Sequence, residues 1–241
     1  MKYLDLTLPT VEANLALDEA LLAESEEGDG PPVLRFWEQP DLAVVLGASC
    51  RFREDVHGEA CRADGVVIAR RSSGGGTVVI GPGALNVTVV LPLDAAPGLG
   101  AVDVAQRYVL DRIGAALRAL GPPVTLQGSG DLTLGLRKFS GSAQRRLRRR
   151  FLVHASLLYR FPLEQIARYT ALPRRQPSYR EGRSHAEFLI NLGLPCDQIR
   201  DAIRAAWLPP DHRIEPATVP EQRVRDLIAT KFGDPAWIYR L

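Results

Sequence analysis

Two short stretches of this sequence gather residue types that handle negative charge at close range. In RRSSGGGTV, Arg70 and Arg71 run into Ser72, Ser73 and the consecutive glycines Gly74, Gly75 and Gly76. A glycine triplet costs backbone entropy, so a folded chain keeps it where Cβ atoms would be in the way. The N–H groups of such a bend can converge on one anion as a nest, and an arginine fork matches carboxylate or phosphate oxygens. The competing reading is a tight hairpin between strands at 66–70 and 77–80 with ordinary surface arginines. The triplet alone does not choose between them.

The second stretch is LRKFSGSAQ, where Lys138 precedes the small residues Ser140, Gly141, Ser142 and Ala143. Small neighbours let a ligand approach closely, and a lysine held there offers a compact positive charge to a phosphate or a developing oxyanion. Most lysines are solvated surface residues. Here only three of the 30 lysines and arginines are lysines, so a lysine where arginine would serve equally well carries some weight. His154, in VHASLLY, is either a satisfied structural histidine or a base. PSYREGRSHAEF (177–188) places Arg180, Arg183 and His185 in a polar loop that reads equally as a substrate-side loop or a helix cap.

The elements that must position these residues are legible from periodicity. Residues 11–24, after Pro9-Thr10, predict an amphipathic helix capped by Thr10. VLRFW (33–37), LAVVLG (42–47), VVIAR (66–70) and LNVTVVL (85–91) predict strands. A helix opens at Asp103 with an apolar stripe of Val102, Ala105, Val109, Ile113, Leu117 and Leu120, and stops at Gly121-Pro122-Pro123. Strands follow near 124–127, 131–134, 137–140 and 152–160, then helices at 163–172, 196–207 and 221–233. Strands and helices do not alternate. The expected fold is therefore α/β of the α+β type, a mixed, largely antiparallel sheet with packed helices. Residues 1–207 would form the main body and 208–241, after LPPD, a helical cap of the same domain.

The composition excludes several classes. Of 241 residues, 46% are apolar and 24% charged, and the net charge is +2, which suits a globular chain and not a general polyanion binder. Cys50, Cys61 and Cys196 are odd in number and widely spaced, against a disulfide framework or a zinc site. The N-terminal stretch lacks a signal-peptide pattern, and no apolar run is long enough for a membrane span, so a cytoplasmic location is expected. QRRLRRR (144–150) is the one concentrated basic run.

RRSSGGGTV and RKFSGSAQ, in this order and about sixty residues apart, resemble the two signature motifs of the lipoate–protein ligase family, within the biotin/lipoate ligase and octanoyltransferase superfamily. NLALDEALL (14–22), LRFWEQPDLAVVLGAS (34–49) and VRDLIATKFGDPAWIYR (224–240) are similar to the same family, so the likeness spans nearly the whole chain. It implies a catalytic domain of the class II biotin synthetase type. It also implies an enzyme that converts lipoate or octanoate to an acyl-adenylate with ATP and Mg²⁺. The acyl group then passes to a lysine of a lipoyl domain, in a 2-oxoacid dehydrogenase or the glycine cleavage H protein.

Carried over by motif, Lys138 would be essential to both half-reactions. Arg71, Ser73, Gly74, Gly75 and Gly76 would line the acyl and phosphate site, with Asn86, Ser140, Gly141, Ala143 and His154 also in contact. Asp131 stands at the family's acidic position and is the one residue pointing to Mg²⁺. Val78, Leu85 and Val87 would line the aliphatic tunnel.

The sequence also departs from the pattern. Ile80 and Gly81 replace a polar His-Asp pair, and Gly130 stands where asparagine is common. Without the accessory C-terminal domain of many ligases, a separate accessory chain is expected. The alternative is an ATP-independent transferase that takes the acyl group from a carrier thioester, with Cys50 as its nucleophile. Third comes a non-catalytic binder using RRLRRR on nucleic acid, which the small net charge and the lack of interleaved aromatics disfavour. The same arginines could steer an acidic lipoyl domain.

Overall fold

Residues 33–37, 84–92 and 150–158 are mostly apolar on both alternating sets of positions, the composition of strands covered on both faces. The computed structural model, which describes residues 1–28, 30–208, 215–216 (backbone only) and 218–241, makes them the centre of an eight-stranded sheet. In chain order the elements begin with β1 (Lys2–Asp5), α1 (Val11–Glu27), β2 (Val33–Trp37) and β3 (Ala43–Leu46). The short helices α2 (Phe52–Asp55) and α3 (Gly58–Ala63) lead to β4 (Val67–Arg70), β5 (Val78–Ile80) and β6 (Ala84–Pro92). Then come α4 (Val102–Arg118), β7 (Val124–Gln127), β8 (Asp131–Leu134), β9 (Arg137–Arg146) and β10 (Arg150–Leu158). The last third holds α5 (Glu164–Tyr169), α6 (His185–Phe188), α7 (Cys196–Trp207), β11 (Glu215–Pro216), α8 (Glu221–Leu227) and α9 (Pro235–Ile238).

The large sheet runs β11-β1-β2-β6-β10-β9-β8-β7, parallel only where β1 meets β11 and β2. The second sheet, β4-β3-β5, has one parallel and one antiparallel pair. This is the mixed, mostly antiparallel arrangement expected. The hairpin alternative for the glycine stretch fails, because β3 lies between β4 and β5 and the glycines cross over it.

The two faces of the large sheet differ. Leu34, Phe36, Leu85, Val87, Val89, Val153, Ala155 and Leu157 point to one face and pack with Val109, Ile113 and Leu117 of α4 and Ile199 and Ile203 of α7. Their alternates, Val33, Val90 and Leu152, point to the other face and pack with α1 and with β3 and β4 of the small sheet. The polar or small residues Asn86, Thr88, Gly141, Ala143 and His154 share this second face by register.

Three expectations change. Helix α1 is capped by Thr10 as expected, its hydroxyl accepting from the Ala13 amide, yet it is buried on most sides because it wedges between the two sheets. Strand β9 continues to Arg146 instead of ending at 140, since its antiparallel pairing with β10 runs on to Arg146 opposite Phe151. Val102 begins α4 but is exposed, so the stripe starts at Ala105. The expected start of the cap at Pro209–Asp211 lies outside the described residues. Residues 221–241 pack on α1 and β4, and α8 runs into a π-helical turn at Ile228–Phe232.

Candidate functional site

The glycine bend leaves β4 and folds over β9. Gly75 has φ +83°, a conformation that costs other residues energy. A Cβ on Gly47 would stand 2.1 Å from the Gly75 carbonyl oxygen, so two backbone segments touch here. Cβ atoms on Gly74 or Gly76 would meet nothing within 4 Å, and all three glycines are exposed. No acceptor among the described residues takes a hydrogen bond from the amides of Gly74, Gly75 or Gly76.

Both arginines are turned inward. Arg71 donates from Nε to Ser73 Oγ (3.1 Å), from Nη1 to Val45 O (3.2 Å), and from Nη2 to Gly74 O (2.5 Å) and Gly76 O (2.8 Å). Burial pulls its guanidinium down to about 10. Arg70, also buried, donates to the carbonyls of Gly47, Cys50 and Ile238, tying the end of β4 to the loop after β3 and to α9. The expectation that Arg71 offers its fork to a ligand therefore changes: its donors hold the bend's shape. Cys50 reaches the same bend, its Sγ 3.4 Å from Gly75 O.

Strand β9 supplies the other half. Lys138 Nζ lies 2.7 Å from Asp131 Oδ1, and Tyr179 Oη donates to Asp131 Oδ2 at 2.7 Å. Burial, with Asp131 alongside, pushes the Tyr179 phenol well up, keeping it a neutral donor. Gly141 makes room for this lysine, for a Cβ there would come within 2.8 Å of Nζ. A Cβ on Gly75 would stand 3.5 Å from Ala143 Cβ and 3.8 Å from Ser142 O. Bend and ammonium thus flank one short run of β9, residues 141–143.

Behind the bend lies a buried polar chain. Ser73 Oγ is 2.6 Å from His154 Nε2, and His154 Nδ1 is 3.7 Å from Asp18 Oδ2. Asp18 pairs with Arg35 Nη1 (2.5 Å) and accepts from Thr88 Oγ1 (2.8 Å). Burial by itself would raise the Asp18 carboxyl, but Arg35, His154 and Thr88 outweigh it and hold the group below its usual value. Leu15, Leu22 and Leu152 line the cavity beside Ser73 and His154.

Other expected site residues separate. Asn86 faces the site side and accepts from Ser156 Oγ at 2.6 Å. Ser140 does not: it pairs with Leu132 and Leu157, whose side chains lie in the α4 core, and is itself buried there. Leu85 and Val87 also face that core, so only Val78 of the expected tunnel residues is on the small-sheet side. Ile80 is packed under α1, and Gly81 abuts Leu42. At Gly130 a Cβ would fall 2.2 Å from Gln106 Nε2 and 2.5 Å from Ser142 Oγ. Gln106 donates to Ser142 (2.8 Å), which donates to Gly130 O (2.7 Å).

The arginine run is not a continuous basic face. Arg150 is buried, the Arg149 amide and guanidinium engage Glu26, and Arg146 donates to Leu99 O. Sequence reasoning missed Asp18, Arg35, Gln106 and Tyr179. The signal for the first two was present: one carboxylate inside the apolar NLALDEALL and one guanidinium inside VLRFW.

The fold is a mixed α/β sheet with an amide bend that has no acceptors among the described residues, set beside a lysine on β9. The chain belongs to the lipoyl protein ligase A/B catalytic domain family, whose model matches residues 10–203. A relative from Aeropyrum pernix, assigned to lipoate-protein ligase A, is 39% identical over 60% of this chain and 52% of that protein. The chain therefore spans about half of that relative's length. An octanoyltransferase LipM of Symbiobacterium thermophilum is 28% identical over 94% of this chain and 93% of its own. Among solved structures, a bipartite lipoate protein ligase of Thermoplasma acidophilum with its E2 lipoyl domain superposes with a TM-score of 0.85, at 25% identity over 99% and 95% of the chains. A lipoate-protein ligase A bound with ATP gives 0.84 at 25% identity, over 100% and 99%. No helix among the described residues is long and apolar enough to cross a membrane.

Proposed function

We propose that this chain is an acyltransferase of lipoylation: it activates lipoate or octanoate with ATP and transfers the acyl group to a lysine of a lipoyl domain. One observation carries the reading, the unspent amides of Gly74–Gly76 and the Lys138 ammonium flanking residues 141–143 of β9. An anionic acyl head seated between them would meet backbone donors on one side and a mobile cation on the other. Adenylation needs no protein nucleophile, since the substrate carboxylate attacks the α-phosphate and the site supplies position and charge.

The ATP-bound relative supports nucleotide use, and the bipartite relative supports both a lipoyl-domain partner and a separate accessory subunit. The described residues do not form a ready magnesium site. Asp131 has both oxygens engaged by Lys138 and Tyr179, and no group of three or more His, Cys, Asp or Glu side chains is placed to hold a metal. Any Mg²⁺ would arrive with nucleotide phosphates.

A second reading is an ATP-independent transferase working from an acyl-carrier thioester. Cys50 at the glycine bend and the LipM relative favour it. The test is the mass of a lipoyl domain after incubation with this chain and lipoate or octanoate, with and without Mg-ATP, beside a reaction supplied with the acyl thioester. Modification that requires ATP supports the ligase. Modification from thioester alone, lost in Cys50→Ala, supports the transferase, and no modification in any arm refutes both.

A further inference from the structure

Acyl transfer to lysine must dispose of a proton, because the acceptor amine becomes an amide as the new bond forms. Lys138 is an ammonium paired with Asp131 and cannot accept one in that state. The buried chain behind the bend has the geometry of a proton acceptor. Ser73 Oγ receives Arg71 Nε–H and lies 2.6 Å from His154 Nε2, which leaves one of its lone pairs free toward the cavity. Asp18 lies on the Nδ1 side of the same ring, and it is fixed by Arg35 and Thr88. That carboxylate favours the tautomer with hydrogen on Nδ1, so that Nε2 accepts from the serine hydroxyl.

We infer that Ser73, His154 and Asp18 form a proton relay that serves the transfer half-reaction. The inference rests on the acyl-transfer reading and holds for either acyl donor. As the acceptor nitrogen attacks the acyl carbonyl, the C–N bond forms and the bond from carbon to phosphate oxygen or to thiol sulfur breaks. The nitrogen's proton passes to Ser73 Oγ while the serine's own proton passes to His154 Nε2. The leaving group departs with the electron pair of the broken bond, and Asp18 stabilises the imidazolium until it releases its proton to solvent. Ser73 touches the reacting nitrogen; His154 and Asp18 are positioning residues acting through it. The acyl chain need not be bound covalently to the protein at any stage.

The charged groups facing this imidazole are Asp18 and Glu19 of α1, Arg71 of the bend and Arg145 of β9, with Arg35 of β2 behind Asp18. Glu19 is itself paired with Lys231.

The experiment compares the two halves of the reaction in the full chain, with any required accessory subunit. Transfer from preformed lipoyl adenylate, or from the acyl thioester if that is the donor, is measured to a lipoyl-domain lysine and to hydroxylamine. Hydroxylamine is already unprotonated at neutral pH and has far less need of a base. For His154→Gln, transfer to lysine should fall by about 10²- to 10⁴-fold, transfer to hydroxylamine by much less, and adenylate formation by no more than a few-fold. Ser73→Ala should give the same split, with thermal melting used to confirm that both variants fold.

Equal loss in every reaction would overturn the relay in favour of a structural role. So would unchanged lysine transfer. An acyl group found by mass spectrometry on Ser73 would overturn it by making the serine a nucleophile. If wild-type protein modifies no lipoyl domain from either donor, it is the function reading that fails.

Discussion

Replacing Gly141 by alanine separates the lysine's position from the stability of the strand that carries it. The new Cβ would lie 2.8 Å from Lys138 Nζ and 3.0 Å from Cε, well inside ordinary carbon contact. Relief to about 3.4 Å or beyond must come from the lysine, whose end is the flexible partner. At present Nζ sits 2.7 Å from Asp131 Oδ1. Moving a unit charge from that distance to ~3.4 Å weakens its attraction to the carboxylate by about 1 kcal/mol at an effective dielectric near 20. A displacement approaching 1 Å in a catalytic group costs up to about 100-fold in rate. The predicted fall in kcat for Gly141→Ala is therefore about 10- to 100-fold. Fold stability should hardly change or should rise, since alanine in a strand interior is favoured over glycine by roughly 0.5–1 kcal/mol. Steady-state kinetics of lipoyl-domain modification, together with a thermal melt, reads both quantities. Full activity in a stable Gly141→Ala protein would refute the argument that the seat over residue 141 sets the ammonium for catalysis.

Two further perturbations probe the scaffold. Because Arg35 and its neighbours depress the Asp18 carboxyl, this group stabilises the fold above its ordinary unfolded value, near pH 4, and the stabilisation is lost as pH falls through the lower folded value. Melting temperature should thus drop as pH is lowered below about 5, and Asp18→Asn should flatten that dependence. The same change leaves Arg35 buried without its counter-charge and should cost about 3–5 kcal/mol at neutral pH, measured by denaturant unfolding. Gly130→Asn, which restores the family's common residue, should destabilise by about 1–3 kcal/mol through its clash with Gln106 and Ser142. Combining it with Gln106→Ala should recover most of that loss, and additive costs would show that the two positions do not compete.

The backbone was largely readable because its signals are local. Thr10 before an apolar helix, the 3.6-residue stripe from Ala105 to Leu117, and the apolar runs of β2, β6 and β10 each encode their own element. What could not be read was which face each residue takes and what lies opposite. Ser140, Leu85 and Val87 sit in the right motifs or beside them, but a period of two sends them into the α4 core. The match of Asp18 to Arg35 joins a helix to a strand 17 residues later, and only the packed sheet shows that each is the other's partner. Tyr179 is remoter still, meeting Asp131 across 48 residues of chain. Gly130 looked like the loss of a polar group, yet Gln106 brings an amide to the same turn from a separate helix.

The two arginines show how much residue type alone leaves unread. A guanidinium has five donors in a fixed plane, so it can tie several carbonyls at once, and Arg71 does this with Val45, Gly74 and Gly76. With those carbonyls drawn inward, the amides of Gly74–Gly76 stay without acceptors among the described residues. In the proposed reaction Arg71 would act on an anion at one remove, by keeping donors free that a relaxed loop would spend on itself. An ammonium on a four-carbon stem suits the opposite task. In the proposed reaction it would leave Asp131 for an incoming acyl head and return, a movement that a guanidinium held by four bonds cannot make without dismantling the bend.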